Sequence, residues 1–428
     1  MRLSRYNVYY ESDANTTIVY NTLSDKFEIL AKDIDSSIIK PKLISKGILT
    51  SSTEEEIAEC QASLYSFLNR PVMGLTIITT EDCNLDCLYC AQQHVPKYMP
   101  QPTYDSIKNL ILRKIYDFTC LNITLFGGEP TLAIEKFLPF LEEINEICSY
   151  YKKKKTCSIV TNGLELTSEN VNSLYEAGVH CYVVTLDGDP VLHDRYRRQS
   201  DGSPSFLRIY SNLLQIKNNL KNLKQLRVII RLSITKATIS NINNWSHLYS
   251  DLLSDRRFSI ELNRIENRGG THINEVKTEI LSNIDLIDLQ KRINQRINAH
   301  IFPQRKLKAN QYVCSFLTNM SYTIGVNGEV KLCSKLYSDN NIGLLLPNGT
   351  ISLVHKKSKY LINNQSSCIN CAFLPICHGM KCGIEFICPY LEIEDTLMAY
   401  FQYSWNITLI RRIPAPECIL SLEEENAC

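Results

Sequence analysis

The feature that most constrains the fold of this 428-residue chain is a sixfold alternation of apolar strand segments with amphipathic helical segments after Gly74. Buried strands of a parallel sheet read as short apolar runs, whereas helices repeat apolar residues three or four positions apart. The strand segments are Leu75–Thr79, Leu121–Phe126, Cys157–Thr161, Cys181–Leu186, Leu226–Ile234 and Phe258–Leu262. The helical segments are Tyr104–Tyr116, Ile134–Tyr151, Thr167–Ala177, Phe206–Leu220 and Ile242–Leu253. Six repeats predict an α/β fold, a partial (β/α)6 barrel with its chemistry at the carboxyl ends of the strands.

Two further segments flank the predicted barrel. Residues 1–70 contain two strand-like runs and a helical pattern over Thr53–Leu68, which predict a small α+β module. A charged helical stretch from about 276 to 300 leads into a cysteine-rich region, where Asn-Gly turns at residues 327–328 and 348–349 predict hairpins. We therefore predict three domains, residues 1–70, 71–300 and 301–428.

The cysteine count is the most unusual aspect of the composition. The chain has 17 cysteines but no apolar stretch typical of a signal peptide, and no run of the ~18 apolar residues that a membrane span needs. A cytoplasmic location follows, where thiols stay reduced, so these cysteines are better interpreted as metal ligands or buried thiols than as disulfides. A net charge of +1 predicts neither a nucleic acid nor a membrane as partner.

Cys83, Cys87 and Cys90 lie within eight residues, directly after the first barrel strand. Three thiolates so spaced bind one face of a [4Fe–4S] cluster and leave one iron without a protein ligand. This Cys-x3-Cys-x2-Cys spacing, with Tyr89 before the third cysteine, resembles the signature of the radical S-adenosylmethionine superfamily. The resemblance implies that the open iron binds S-adenosylmethionine, whose reductive cleavage gives a 5′-deoxyadenosyl radical. The alternative interpretation is a zinc site with His94 as a fourth ligand.

Motifs at the ends of later strands extend this resemblance to the cofactor pocket. Gly127-Gly128-Glu129 ends the second strand, and in the superfamily this motif holds the amino group of the cofactor, although alone it would predict only a turn. Thr161 and Asn162 end the third strand, where superfamily members line the cofactor and substrate pocket.

Three residues in the fourth and fifth strands complete the predicted site. Thr185 ends the fourth strand, where it stands for the serine of the usual Ser-Leu-Asp-Gly segment and keeps the hydroxyl. Asp187 is a candidate catalytic proton acceptor or substrate anchor, and the alternative is a carboxylate that caps its own turn. Arg231, by analogy, faces the cofactor carboxylate, and the alternative is an arginine in a solvated ion pair.

The C-terminal region contains a second group of regularly spaced cysteines: Cys314, Cys333, Cys368, Cys371, Cys377, Cys382 and Cys388. Their spacing resembles the SPASM domain, an extension that carries two auxiliary [4Fe–4S] clusters in enzymes that mature peptides, sulfatases and quinone cofactors. The resemblance implies an outer cluster on Cys368, Cys371, Cys377 and Cys388. The resemblance places the remaining three on an inner cluster that lacks a fourth cysteine. Its fourth ligand would be a substrate thiolate, a water or a side chain that the sequence does not identify. Four residues rather than the usual three separate Cys377 from Cys382, and two zinc ribbons are the alternative.

Three functions fit these observations. The first is a radical peptide maturase that abstracts hydrogen from a precursor peptide and installs a thioether, carbon–carbon or ether cross-link. In that case residues 1–70 bind a leader segment at a strand edge, and flavodoxin or ferredoxin donates the electrons. The second is an anaerobic sulfatase-maturating enzyme that makes formylglycine, although such enzymes usually begin almost directly at the barrel. The third is a zinc-binding scaffold without catalytic activity.

Overall fold

The computed structural model describes residues 1–12, 16–30, 36–265, 267–281, 307–334, 341–355, 366–379, 388–405 and 410–415. The strands in chain order are β1 Arg2–Leu3, β2 Asn7–Ser12, β3 Thr17–Asn21, β4 Lys26–Leu30, β5 Leu49–Thr50, β6 Val72–Thr80, β7 Leu85–Cys87, β8 Cys120–Gly127, β9 Lys154–Thr161, β10 Val179–Thr185, β11 Arg197–Gln199, β12 Arg227–Ile234, β13 Phe258–Arg264, β14 Ser321–Ile324, β15 Glu329–Lys331, β16 Asn341–Leu345, β17 Ile351–Leu353 and β18 Ile410–Ile413. The α-helices are α1 Ser36–Ser45, α2 Thr53–Leu68, α3 Gln101–Arg113, α4 Ile134–Tyr150, α5 Ser168–Glu176, α6 Pro190–Tyr196, α7 Phe206–Asn219, α8 Lys236–Ser240, α9 Ile242–Leu253, α10 Ser366–Ile369, α11 Leu374–Cys377 and α12 Tyr390–Trp405.

The chain divides by its contacts into two compact units. One consists of Met1–Arg70, Gln304–Asn319 and Lys357–Cys428, and the other consists of Pro71–Pro303 and Met320–Lys356. We call them the discontinuous unit and the barrel unit. Residues 1–70 therefore share a unit with C-terminal segments, whereas the predicted three-domain division by function stays a prediction.

The barrel unit contains the six predicted parallel strands, in the order β13-β12-β10-β9-β8-β6. Every neighbouring pair among them is parallel, and each crossover contains helix, which is the arrangement that βαβ connections produce. Strand β6 pairs on its other side with β14, from which an antiparallel hairpin extension continues through β15, β16 and β17. Because β13 and β6 are not partners, the sheet is an open partial barrel, and the α/β fold predicted from the sequence is confirmed.

Side-chain alternation is visible in β12, where one face is buried throughout and the other is partly exposed over most of its length. In β12, Val228, Ile230, Leu232 and Ile234 are all buried. The intervening Arg231 is only partly buried, as is Ile229. The concave side of the partial barrel therefore has room for polar side chains, while the helix-facing side carries the hydrophobic core.

The discontinuous unit is built on an antiparallel sheet of order β18-β2-β3-β4. Val8, Tyr10, Ile18 and Tyr20 on one face share a core with Phe373 and Ile376 and with the α12 residues Ile393, Leu397 and Phe401. The opposite face, with Tyr9 and Val19, packs on α1 residues Ile39 and Leu43. Strands separated by almost the whole chain length thus form one core.

The helix predicted from about 276 to 300 lies mostly outside the described residues. Its described beginning, residues 276–281, contains the short 3-10 turn Lys277–Glu279 rather than α-helix. Both predicted hairpins are present, β14–β15 and β16–β17, with Asn-Gly in each turn. Within the described residues, no helix is both long and apolar enough to cross a bilayer.

Candidate active site

The three clustered cysteines lie at the carboxyl end of β6, on the loop that contains β7. Cys87 is buried, and Cys83 and Cys90 are partly buried. Burial raises the pKa of all three thiols, that of Cys87 to about 12. The neighbouring cysteine thiolates raise the pKa of Cys83 and Cys87 further, because like charges repel. The Leu85 amide donates to the Cys83 sulfur at 3.4 Å. The loop therefore presents three neighbouring cysteine thiols that are largely withdrawn from water.

Gly127 and Gly128 let the end of β8 pack directly against Thr80 and Asp82, which lead into this loop. A Cβ on Gly127 would fall 2.2 Å from the Thr80 carbonyl oxygen, and one on Gly128 would fall 2.1 Å from that of Asp82. The backbone φ of Gly127 is +146°, which side chains other than glycine rarely tolerate. The Gly128 amide donates to Thr80, and the Glu129 amide donates to Asp82 at 2.7 Å. Any other residue at either glycine would displace the backbone that leads to the cysteines.

Glu129 is completely buried and ties three segments together. One carboxylate oxygen accepts hydrogen bonds from the Thr131 amide, the Thr131 hydroxyl and the Thr161 hydroxyl, at 3.0, 2.6 and 2.7 Å. The other accepts from the Asn162 amide at 2.6 Å. Burial raises the pKa of Glu129, and these four hydrogen bonds oppose that rise. In this structure the carboxylate thus organises the ends of β8 and β9, and its predicted contact with a cofactor ammonium stays a prediction.

Asn162 links the end of β9 to the cysteine loop. Its side-chain nitrogen donates to Asn84 Oδ1 at 2.7 Å and lies 4.0 Å from the Cys83 sulfur. Its side-chain oxygen accepts from the Leu164 amide. The structure therefore brings together Asn162, Glu129 and Cys83, as the common edge of parallel strands predicts.

Thr185 and Arg231 are neighbours on paired strands, Thr185 at the end of β10 and Arg231 opposite it on β12. The Arg231 guanidinium donates two hydrogen bonds to Glu261 Oε2, at 3.0 and 2.9 Å. This is the ion pair that the sequence left open as an alternative. The predicted cofactor-binding roles of Thr185 and Arg231 stay predictions.

Asp187 is fully buried just beyond β10, and both of its oxygens have partners. The Ser233 amide donates to Oδ1 at 2.7 Å, and the Tyr89 hydroxyl donates to Oδ2. The Arg197 Nε lies 4.0 Å from Oδ2. Burial raises the pKa of Asp187, and Arg197 opposes the rise. Because Tyr89 precedes Cys90, Asp187 is connected to the cysteine loop, and its predicted catalytic role stays a prediction.

A short antiparallel ribbon, β7 with β11, fixes the cysteine loop on its second side. Arg197 pairs with Cys87 in this ladder, and Gln199 pairs with Leu85. Buried His193 secures the ribbon's start, since its Nδ1 accepts from the Asp187 amide at 3.0 Å and its Nε2 lies 3.0 Å from the Ser205 hydroxyl. Burial lowers the pKa of His193 well below its usual range, so the ring is neutral.

The residues at the three cysteines fit a [4Fe–4S] cluster. In such a cubane each thiolate binds a different iron at its own corner. The donors near Cys83, from Leu85 and Asn162, suit a sulfur that carries negative charge.

Among the C-terminal cysteines, the four predicted outer ligands are mutual neighbours. The charges of Cys368, Cys371 and Cys388 all act on Cys377, whose pKa burial raises to about 12. Cys314 belongs to the discontinuous unit and Cys333 to the barrel unit, and Cys382 lies outside the described residues. The ligand sets of both auxiliary clusters stay predictions.

The structure shows contacts that the sequence could not specify. Asn84 accepts a hydrogen bond from the Asn162 side chain, Arg197 donates to the Tyr89 hydroxyl oxygen, and His193 accepts from the Asp187 amide. From the sequence alone, the segment from His193 to Arg197 extends the superfamily resemblance and is predicted to order the substrate side. The pairing of β11 with β7 places this segment beside the cysteine loop. Strands of three residues are too short to show a periodicity, so the sequence does not predict this pairing.

Residues 77–236 match the family described as the Radical SAM superfamily. The match covers the cysteine loop, the Gly-Gly-Glu segment and the fifth barrel strand, which are the parts just described. The chain therefore contains a radical SAM domain. This assignment implies S-adenosylmethionine and a [4Fe–4S] cluster as cofactors, and it favours an enzyme over the zinc-binding scaffold.

Two sequence relatives align with part of this chain. A probable GTP 3′,8-cyclase of Methanothermobacter marburgensis is 31% identical over 118 residues, which cover 28% of this chain and 36% of the cyclase. A cysteine-type anaerobic sulfatase-maturating enzyme of Clostridium novyi is 28% identical over 154 residues, which cover 33% of this chain and 39% of that enzyme. The similarity thus spans little more than a third of either relative.

Solved structures share more of the fold. The protein anSMEcpe, solved with bound AdoMet and the Cp18Cys peptide, has a TM-score of 0.58 at 17% identity and covers 78% of this chain and 97% of its own. Streptococcus suis SuiB, solved with the precursor peptide SuiA, has a TM-score of 0.54 at 17% identity, covering 89% of this chain and 95% of its own. At these identities the likeness establishes the fold.

Proposed function

We propose that this chain is a radical peptide maturase that installs an intramolecular cross-link in a precursor peptide. The observation that carries the proposal is the extent of the likeness to SuiB, which covers 89% of the chain. The uncovered tenth is shorter than residues 1–70, so the likeness extends into the segment that precedes the barrel. SuiB was solved with a precursor peptide. In our proposal the segment before the barrel recognises the leader part of such a peptide.

The sheet of the discontinuous unit supports this role because β4 is an edge strand among the described strands. β2 has β18 as its outer neighbour, whereas among the described strands β4 pairs only with β3. An extended leader segment adds to such an edge through main-chain hydrogen bonds. We assign leader recognition to β4 and cross-linking to the barrel.

Within the barrel, the chain's own residues hold and orient the reactants. Cys83, Cys87 and Cys90 hold the cluster, and the Gly127–Glu129 segment with Thr161 and Asn162 shapes the adjoining cofactor pocket. Bound there, the cluster and S-adenosylmethionine supply a 5′-deoxyadenosyl radical that takes a hydrogen atom from the peptide.

We assign a role in the reaction to Asp187, to Arg231 and to the C-terminal cysteines in turn. Asp187 anchors the substrate or accepts a proton, and Arg231 exchanges its partner Glu261 for the cofactor carboxylate. Cross-linking removes a second hydrogen from the peptide as a proton and an electron. The auxiliary clusters accept that electron, flavodoxin or ferredoxin donates the electrons for cofactor cleavage, and all of this occurs in the cytoplasm.

The second candidate, formylglycine formation, is favoured by the likeness to anSMEcpe and to the Clostridium novyi enzyme. It does not require a leader-binding sheet. The segment before the barrel therefore favours cross-linking.

One experiment separates these functions. The anaerobically reconstituted enzyme is reduced with S-adenosylmethionine and a short peptide encoded beside its gene, and 5′-deoxyadenosine and peptide mass are measured. A cross-link removes two hydrogen atoms and blocks backbone fragmentation inside the ring. Formylglycine made from cysteine also removes two hydrogen atoms, but it replaces the sulfur by oxygen as well.

The control is the protein with Cys83, Cys87 and Cys90 all replaced by alanine, which should release no 5′-deoxyadenosine. Formylglycine in the product would contradict cross-linking and support the second candidate function. Absence of 5′-deoxyadenosine from the fully loaded enzyme would contradict both candidates.

A further inference from the structure

Arg197 is an unusual residue because its guanidinium is buried beside the cysteine loop. Its Nη1 donates to the Tyr89 hydroxyl oxygen at 2.8 Å, and its guanidinium carbon lies 5.9 Å from the Tyr89 ring centroid. Its Nε lies 4.0 Å from Asp187 Oδ2 and has no hydrogen-bond partner among the described residues. A buried charge is costly unless it is compensated, and a single carboxylate at this distance compensates it only in part.

The backbone fixes the position of this charge relative to the cysteines. Arg197 is the ladder partner of Cys87, and the Leu88 amide donates to the Tyr196 carbonyl at 2.9 Å. The positive charge acts on the thiols of both Cys87 and Cys90. Arg198, the next residue, is exposed and pairs with Asp86 at 3.5 Å. Two adjacent arginines thus differ mainly in burial.

A [4Fe–4S] cluster on three thiolates is negatively charged, and its reduction adds one more negative charge. A fixed positive charge nearby stabilises the reduced form more than the oxidised form, and the effect is strong where water is excluded. An exposed arginine is screened by solvent and contributes far less. The incompletely compensated positive charge of the guanidinium is therefore opposite in sign to the charge that the cluster on the cysteine loop gains on reduction, and it stabilises that charge.

We propose that Arg197 is a positioning residue that raises the reduction potential of the cluster on Cys83, Cys87 and Cys90 through its buried charge and holds Tyr89 against that cluster. The inference rests on the radical SAM domain and not on the identity of the peptide. It assigns Arg197 an electrostatic function beyond that of a structural link between β7 and β11.

The test is an anaerobic redox titration of the reconstituted holoenzyme, followed by electron paramagnetic resonance of the signal that changes when S-adenosylmethionine is added. In Arg197→Met, the ratio of reduced to oxidised cluster at a fixed potential should fall about tenfold, which is 59 mV for a one-electron couple. Arg197→Lys, which keeps the charge, should remain within about twofold of wild type. Arg198→Met, the matched exposed control, should also remain within about twofold.

Iron and sulfide content is measured for each variant, and if Arg197→Met does not hold a full cluster, Arg197→Gln replaces it, because its amide still donates to Tyr89. An unchanged ratio in the loaded neutral variant would overturn the proposal. An equal fall in Arg197→Lys would overturn it as well, since geometry rather than charge would then be responsible. No peptide is needed, so this outcome is independent of the maturase function.

Discussion

Glu129 illustrates how a residue in a recognisable motif acquires its structural role from distant partners. The motif identified Glu129 as a candidate cofactor ligand from sequence, but its acceptance of hydrogen bonds from Thr161 and Asn162 depends on the pairing of β8 with β9. Similarly, Asp187 is contacted by Tyr89 and Ser233, which are far from it in sequence. Local spacing indicates which residue types a site uses, whereas tertiary pairing determines which donors they meet.

We expect Glu129→Gln to destabilise the barrel unit by about 1–3 kcal/mol, the cost of leaving a buried donor unsatisfied. The amide oxygen can still accept from Thr131 and Thr161, but the amide nitrogen then faces the Asn162 amide, and two donors oppose each other. Because Asn162 contacts the cysteine loop, binding of S-adenosylmethionine should weaken too. Urea unfolding under anaerobic conditions and equilibrium dialysis with the labelled cofactor measure the two effects.

Glu142→Gln, on the exposed face of α4, is the matched control and should change neither quantity measurably. Wild-type stability in Glu129→Gln would show that Glu129 does not tie the strand ends together.

At the scale of elements, strong periodicity predicted the six parallel strands and the helices between them within a few residues. Helix α2 occupies Thr53–Leu68 as predicted, because Ser52 caps its first turn and Glu54 to Glu56 favour its positive end. The small ribbon β7–β11 was not predicted, and neither was the pairing of β18 with β2. Short strands contain too few residues for a period, and their partners are defined only by the folded chain.

Replacing the N-cap Ser52 by alanine should cost about 1 kcal/mol, since the Glu55 amide loses its side-chain acceptor at 3.3 Å. Helix α2 then frays at its start, and amide hydrogen exchange of its first turn accelerates. Ser51→Ala removes a neighbouring hydroxyl that donates to the Glu55 side chain. This substitution should change the free energy of unfolding by a few tenths of a kcal/mol at most. Equal effects from both substitutions would contradict the capping role of Ser52.

At the scale of the whole molecule, the division of the chain into compact units was the least predictable property. The sequence predicts a small α+β module over residues 1–70, which precede the barrel motifs. In the structure Tyr10 and Tyr20 pack against Phe401, with ring centroids 5.9 Å apart in both pairs. Apolar residues in β2 and β3 predict burial, but nothing local shows that the covering helix lies near the other end of the chain.

Phe401→Ala tests whether these distant segments unfold together. Removing this buried ring should cost about 3–5 kcal/mol, because the surrounding aromatic residues cannot fill the space. Hydrogen exchange should therefore accelerate in β2 and β3 as well as in α12, while β8 and β9 in the barrel unit keep their protection. Leu391→Ala, at an exposed position on α12, should leave all of these segments unchanged. Faster exchange confined to α12 would contradict a shared core.

The pairing of β2 with β18 also has a consequence for biosynthesis. Ribosomes add about 5–20 residues per second, so roughly 20–80 s pass between the emergence of β2 and the emergence of its neighbour. During that interval the face of β2 and β3 that carries Tyr10 and Tyr20 lacks α12, the helix that packs on it in the folded chain. The nascent amino-terminal sheet therefore exposes these apolar side chains until α12 has been synthesised.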